Sequence, residues 1–510
     1  MNCRFLDFKM VNKILERCVE NGFLLESELF GILSGFKEDD ALEIIDELIK
    51  VSKGKVISKE LYEENLSKFV RFINDDKKEG VKVLSDIDFN TKKININDFI
   101  SYFRARFEAL RDMLIEKNFN NLSSIRRLGV NSGVYTIIGM VSKKRISKSK
   151  NILIEIEDLT GSSIVLVNRE NKELYRKAQN LMLDDVLAFS VSGSSKMLFA
   201  NDFIFPEAKL ERERFGEVDE FVAFSGDFHI GSKMFLENNV LKFVDWLNGN
   251  IGNERQRLIA KKVRYLFLVG DNIDGVGIYP KQEKFLNIKN CRAQYRKLEE
   301  ILRKIRKDVL IVMCPGQNDT VWLGEPQAPI SDKWAPGIYS MENLFLVSNP
   351  SVIEIGSGFK VLMYHGASAT NFIKEMPKLR QLTINNKESI EVVKEILKRR
   401  HLAPSYGLMD YIPKRDKDGL VIDIIPDIVV MGDRHRAEVE NFNNILMVSS
   451  SCWQSKTDFE AKIGNKPDPC KVPLFNLKTR EIKIMDFSGD NKVIWEEGED
   501  LVCKLEGEKL

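Results

Sequence analysis

Histidine is scarce in this chain. There are four in 510 residues, His229, His365, His401 and His435, so any chemistry that uses imidazole is confined to a few places. Cysteine is also sparse: the seven are scattered, odd in number and form no Cys-x-x-Cys pair. That excludes a disulfide framework and a zinc ribbon and fits a reducing cytosol. No stretch reaches the ~18 apolar residues that span a bilayer, and Met1 to Lys9 carries no long apolar signal core. A cytoplasmic protein without membrane partners is therefore expected. Excess charge is missing as well. Lys plus Arg number 77 against 76 Asp plus Glu, a net charge of +1, so polyanion binding must come from local patches. No internal repeat or low-complexity tract is present.

What remains is an ordinary globular composition, 43% hydrophobic and 30% charged, in a chain too long for one core. Residues 1–52 predict a small helical module. Within it, Leu42, Ile44, Ile45, Leu48 and Ile49 recur at helical spacing behind the acidic first turn Asp39-Asp40. Residues 53–92, rich in Lys, Asp, Glu and Asn, read as a linker with at most short elements. Residues 93–125 read as helical, with Phe99, Phe103, Phe107, Leu110 and Leu114 forming a core stripe. Residues 126–208 change to short β runs, about five in all, which predicts a small Greek-key barrel of the oligonucleotide-binding type. Its basic hairpin, with Lys143, Lys144, Arg145 and Lys148, either tracks a phosphate backbone or solvates an exposed edge. Residues 217–488 alternate buried strands with helices, an α/β layered domain whose site is expected at the strand ends. Residues 489–510 form a polar tail with no clear clamp-binding peptide.

The chemistry lies at those strand ends. Phe221-Val-Ala-Phe-Ser-Gly-Asp227-Phe-His229 is an apolar run that stops at two metal-competent side chains, and the pattern returns. Arg264 to Asp271, Val309 to Asp319, Lys360 to His365 and Asp427 to His435 each run apolar and then stop at polar, metal-type residues. Three of the four histidines lie at such ends. Two divalent cations ~3.5–4 Å apart can neutralise a phosphate, activate a water and stabilise a leaving group. Mixed Asp, His and amide ligands suit Mn²⁺, Fe or Zn²⁺ better than an all-oxygen Mg²⁺ site. Asp227 and His229 are placed on the first metal, Asp271 as the bridge, and His365 and His435 complete the two shells.

The order Asp-x-His, Gly-Asp-x-x-Asp, Gly-(Gln317-Asn318-Asp319), His-Gly and Gly-Asp433-x-His435 resembles the signature of calcineurin-like metallophosphoesterases. Gly270-Asp-Asn-Ile-Asp-Gly-Val-Gly-Ile-Tyr-Pro280, Arg400-His-Leu-Ala-Pro-Ser-Tyr-Gly407 and Ser451-Cys-Trp-Gln-Ser-Lys-Thr457 narrow it further. Together with the barrel, residues 95 to 488 look like the small subunits of archaeal family-D DNA polymerases. The resemblance implies an α/β fold: a layered phosphoesterase β-sandwich flanked by helices and preceded by an OB-fold barrel and a helical module. It also implies a two-metal 3′→5′ exonuclease that proofreads for a large catalytic polymerase subunit. DNA with a single-stranded 3′ end would be the substrate, and a sliding clamp a partner through the complex.

Two departures from the family pattern bear on activity. Gln317-Asn318-Asp319 stands where the family has Asn-His-Asp. Asn318 donates a hydrogen bond but delivers no proton at neutral pH, and Gln317 carries its amide on a longer stem. Asp433 replaces the first histidine of Gly-His-x-His. The first-metal set, Asp227, His229, Asp271 and His435, is complete; the second keeps Asp271 and His365 with Gln317 and Asp433 as substituted partners. Catalytic roles fall to Asn318 and Asp319. Both a retuned, weakened nuclease and a silent scaffold with the same partner stay open, and a free-standing phosphodiesterase is the third reading. Arg434 and Arg436 are either phosphate contacts or a solvated loop pair. His401 reads as structural.

Overall fold

The computed structural model describes residues 8–69, 80–85, 94–414, 417–463, 465–489 and 495–497. In it, the apolar runs become the centres of two stacked sheets. A 7-stranded sheet runs Leu344–Leu346, Leu310–Cys314, Val263–Val269, Phe221–Ser225, Lys471–Asn476, Ile482–Asp486, Trp495–Glu497. A 6-stranded sheet runs Glu438–Phe442, Ile445–Ser449, Ile428–Met431, Phe359–Tyr364, Ser351–Ile355, Val81–Val83. The central strands of each are parallel and buried on both faces, hence their continuous rather than alternating hydrophobicity.

The inner faces meet through Val222, Phe224, Phe267, Val312, Val361, Val430 and Val448. Outside, helices Glu237–Leu247 and Cys291–Leu302 cover the first sheet through Phe243, Trp246, Tyr295 and Leu298. Helix Glu388–Arg399 covers the second through Val392, Val393 and Ile396. The domain is thus a helix-sheet-sheet-helix sandwich, the metallophosphoesterase type of α/β fold. No helix of the described residues is long and apolar enough to cross a membrane.

Upstream, Gly133–Ile146, Ile152–Asp158, Gly161–Val167, Met197–Ile204 and Val186–Ser194 close into a barrel. Ile152, Ile154 and Ile156 point into it while the residues between them face outward, the period-two pattern of a one-sided strand. Helix Ile96–Ile115 starts at a capping box between Asn95 and Asp98 and lies between the barrel and the sandwich. Phe107, Leu110 and Leu114 pack on Ile138, Met140 and Val186 of the barrel. Phe99 and Phe103 instead set their rings edge-on to Tyr406.

The segment expected as a linker is not one throughout. Val56–Ile57 pairs with Leu24–Leu25, and Ile57, Tyr62 and Phe69 complete the core of the N-terminal helices with Ile14, Leu29, Ile44 and Leu48. Val81–Val83 adds an edge strand to the phosphoesterase sheet by pairing with Ser351–Ile355. Apolar residues interspersed among the charges suffice for these short elements. Residues 86–93, the last residues of the tail and its Cys503 to Leu510 segment lie outside the described residues.

Candidate metal centre

The strand Phe221–Ser225 ends two residues before Asp227, so the alternation of a strand does not aim Asp227 and His229. Left-handed turns do. Asp227, His229, Asp271, Asp433 and His435 have φ of 49°, 50°, 44°, 64° and 56°, a region in which non-glycine residues are uncommon and cost on the order of 1–3 kcal/mol each. The loops run side by side: the Asp227 amide donates to Gly270 O, the His229 amide to Asp271 O and the Trp453 amide to Asp227 O. A side chain on Gly316 would strike the Asp271 carboxylate at 2.3 Å, so only glycine lets that loop pass so close to Asp271.

The turns bring two groups together, each with donor atoms within 4.8 Å of one another: Asp227, His229 and His435, and Asp227, Asp271 and His365. His435 Nε2 is 3.5 Å from Asp227 Oδ1, His365 Nε2 is 3.3 Å from Asp271 Oδ1, and His229 Nε2 is 3.8 Å from Asp271 Oδ2. The carboxylate common to both groups is Asp227, although Asp271, expected as the bridge, also reaches a histidine of each. Asp433 belongs to neither group. Its amide is tied to Asp227 Oδ2 at 3.2 Å. Gln317 is half-buried at the end of Leu310–Cys314.

The hydrogen-bond partners of the three imidazoles test whether these residues fit a cation. Nδ1 of His229 donates to Asp274 Oδ1 (3.1 Å), that of His435 to Glu460 Oε1 (2.8 Å) and that of His365 to the Val269 carbonyl (2.9 Å). With the ring proton on Nδ1, every Nε2 carries a lone pair into the site. His229 and His435 then present two lone pairs to each other across 3.2 Å. His365 Nε2 and Asp227 Oδ1 are buried and have no hydrogen-bond partner. A cation between such atoms removes the conflict, and two donors ~2.1 Å from one ion at right angles lie ~3 Å apart. Imidazoles held by a carboxylate or carbonyl on the far nitrogen are the usual form of metal-ligating histidine. The donor set fits divalent metal.

Without a metal, protons take its place. Burial opposes charge on His365, but the facing Asp271 carboxylate holds its pKa well above the usual imidazole value. Burial likewise opposes ionisation of Asp271, yet the same pairing draws its pKa down to about 2.

Asn318 lies at the rim. Its amide donates to Asp271 Oδ1 at 2.8 Å, and its side-chain nitrogen sits 3.2 Å from His229 Nδ1. The catalytic role expected of Asp319 does not agree with its surroundings. Its carboxylate accepts from the Gly316 and Asn272 amides (2.9 and 3.1 Å), from Asn272 Nδ2 and from the Tyr295 hydroxyl. Asp319 is a positioning residue that shapes the loop; burial and the Asp271 charge raise its pKa to about 6.

Three basic candidates are also committed elsewhere. Arg434 pairs with Glu388 at 3.0 Å. Arg436 donates to Lys466 O at 2.8 Å. Lys144 turns inward to the Gln179 and Leu181 carbonyls, its pKa lowered by burial. Lys143, Arg145 and Lys148 remain exposed on the hairpin. Sequence reasoning missed Asp274 and Glu460 as partners of His229 and His435. The first was legible in Gly270-Asp-x-x-Asp274; Glu460 comes from a helix 25 residues beyond His435, with no spacing signal. His401 is buried on Asp418 at 2.8 Å, away from the metal groups, as a structural histidine.

Residues 227–440 match the DNA polymerase alpha/epsilon B-subunit family. The DNA polymerase II small subunit of Methanothermobacter thermautotrophicus is 33% identical over 94% of this chain and 100% of its own length. That of Archaeoglobus fulgidus is 31% identical over 85% of this chain and 89% of its own. That of Pyrococcus furiosus is 34% identical over 78% of this chain; the match spans 65% of that longer relative. Among solved structures, Vps29 from Entamoeba histolytica complexed with zinc matches 54% of this chain and 97% of its own, at 15% identity and a TM-score of 0.28.

Proposed function

Because the chain belongs to the family of archaeal DNA polymerase II small subunits, we propose that its strand-end site is a two-metal phosphodiesterase centre acting on single-stranded 3′ ends of DNA. It works beside a large polymerase subunit and at reduced rate. The observation that carries this reading is the trio of imidazoles whose Nε2 lone pairs converge on Asp227 and Asp271. Asp227, His229 and His435 would hold one ion; Asp271 and His365, with Gln317 and Asp433 in reach of the same loops, would hold the other, with Mn²⁺ suited to the mixed donors. When bound, such ions supply charge for the phosphoryl oxygens and a water acidic enough to attack at neutral pH. The chain's own part is orientation. Asp274, Glu460 and the Val269 carbonyl fix the ring tautomers, and the Asn318 amide fixes Asp271.

One observation favours a silent scaffold instead. Asn318 stands where a proton donor is needed, and its side chain is turned to His229. Loss of a general acid costs on the order of 10²–10⁴ in rate. The test is digestion of single-stranded DNA with Mn²⁺ by the two-subunit complex, beside Asp271→Ala and Asn318→His. Slow degradation that Asp271→Ala abolishes and Asn318→His accelerates supports the nuclease. Equal degradation by wild type and Asp271→Ala excludes this site, and no degradation by any form supports the scaffold.

A further inference from the structure

Two loops that leave the sheet beside the metal groups carry large side chains into solvent. The loop after Val263–Val269 exposes Tyr279 and Phe285, 46% and 43% accessible, and the loop after Leu310–Cys314 exposes Trp322, 59% accessible. Exposed rings on neighbouring loops beside a candidate site point to a partner. The loops touch: a side chain on Gly275 would strike the Asn318 carbonyl at 2.4 Å. Both are braced by internal hydrogen bonds. Gln282 donates to the Asp274 carbonyl at 2.8 Å and accepts from the Ile278 amide at 2.9 Å, and Gln327 donates to the Trp322 carbonyl at 3.0 Å. The Lys233 amide, four residues past His229, donates to the Phe285 carbonyl at 2.8 Å.

Charge accompanies the rings. From Gly275 to Asn290 the sequence has three lysines against one acid, Glu283, in a chain whose overall charge is nearly zero. Lys281 and Lys284, both exposed, lie between Tyr279 and Phe285. Aromatic faces alternating with lysines serve unpaired nucleic acid, because every base has a stacking face and every linkage a charge. A duplex offers neither flat face to a side chain approaching from the surface.

We infer that Tyr279, Phe285 and Trp322 form a stacking cradle for the last unpaired bases of a DNA strand, with Lys281 and Lys284 on its phosphates, delivering the terminal linkage to the metal groups. The assignment rests on the reading of that site as one for DNA, but binding is separable from cleavage. The cradle selects single strands over duplex and is indifferent to base identity.

The test is fluorescence anisotropy of a 5′-labelled oligothymidylate with the full chain in chelator, so that no outcome depends on hydrolysis. Each stacked ring is worth roughly 5- to 150-fold in affinity. The double substitution Tyr279→Ala with Trp322→Ala is expected to weaken binding at least about tenfold, and Trp322→Phe to retain it. An abasic strand of equal length is expected to bind wild type at least as weakly as the oligothymidylate binds the double variant, which keeps Phe285. Unchanged binding by the double variant, or equal affinity for abasic strands, overturns the cradle. Unchanged DNA binding together with lost association of the large subunit also overturns it, and makes the rim a protein-docking surface. Cleavage with Mn²⁺ is scored separately; its absence beside intact, ring-dependent binding counts against the nuclease and not against the cradle.

Discussion

Asp227 and Asp418 are both buried carboxylates of the same domain, 0% and 2% accessible, and each faces histidine. Asp418 is saturated. It accepts from the Tyr102 hydroxyl and Arg106 Nε at 2.6 Å, from His401 Nε2 at 2.8 Å and from the Leu420 amide at 2.9 Å. Asp227 accepts only the Asp433 amide on Oδ2, while Oδ1 has no hydrogen-bond partner and looks at imidazole lone pairs. A buried charge left unpaired costs several kcal/mol. The first cluster meets that cost with its own cation, Arg106, and so holds helix Ile96–Ile115 to the sandwich. The second has no such built-in cation, and must meet the cost with protons on its imidazoles or with a cation from solvent. Full pairing marks a joint, and converging unpaired donors mark a site.

The largest effect is expected from breaking the joint. Arg106→Ala strands Asp418 without its cation, and loss of one partner of a buried pair costs about 3–5 kcal/mol. Urea denaturation is expected to register that loss equally with and without Mn²⁺. A loss that Mn²⁺ reverses would erase the distinction between the clusters.

The joint is also sensitive to acid. His401 accepts the Ala403 amide on Nδ1 at 3.0 Å and donates from Nε2 to Asp418, so a second proton would face a donor. Burial, then Arg106, lowers its pKa to about 4, against ~6.5 unfolded. Between those values the unfolded chain binds the extra proton, so stability is full above pH ~6.5 and falls as pH drops toward 4, on the order of 3 kcal/mol in all. His365 has the opposite sign when metal-free, because its pKa is raised. The measurement is therefore the difference in pH slope between wild type and His401→Gln, both with Mn²⁺ bound. Parallel slopes would contradict the assignment.

The sequence makes one of these clusters far more legible than the other. Asp227, His229, Asp271, His365 and His435 announce themselves because they stand at the ends of four apolar runs, and four such endings in order are hard to obtain by chance. Arg106 and Asp418 are 312 residues apart, and in sequence Arg106 sits among the polar residues of a helix whose apolar stripe is Phe99, Phe103, Phe107, Leu110 and Leu114. Nothing local marks a buried arginine; only the packing of helix on sandwich does. The same limit hid Glu460 and misread Asp319, whose type fits a catalytic role while its hydrogen bonds assign it to the loop. The linker's short elements are allowed for in sequence but not placed, for a related reason: three residues of Val81–Val83 become a strand only because an edge is available beside them.

Metal should stabilise the site but not the joint. Ligand bound to the folded state alone adds RT ln(1 + [L]/Kd), about 2.7 kcal/mol at a hundredfold excess over Kd. Wild type is expected to gain on that order from saturating Mn²⁺, and Asp227→Asn to gain little, because the amide removes the carboxylate common to both donor groups. Thermal denaturation at graded Mn²⁺ reads the difference; equal gains would mean that the ion binds elsewhere.

The smallest effect sharpens the comparison most, because it alters a residue that touches no ion. Glu460 Oε1 accepts from His435 Nδ1 at 2.8 Å, and Oε2 accepts from the Thr457 amide and hydroxyl at 2.9 and 3.0 Å. Glu460→Gln has one acceptor oxygen for these two duties. If it serves Thr457, the amide nitrogen meets the His435 N–H and the ring turns or changes tautomer; if it serves His435, the loop at Thr457 loosens. Such outer partners are worth roughly 10–100-fold in metal affinity, and calorimetric titration with Mn²⁺ is expected to show a loss toward the lower end, since the hydrogen bond survives in one of the two arrangements. The joint offers the control: Tyr102→Phe, which removes one of the four donors on Asp418, should leave Mn²⁺ affinity unchanged. Equal affinities for wild type and Glu460→Gln would mean that the His435 ring is set by its left-handed backbone alone, and the strain at that residue would then be the feature that builds the site.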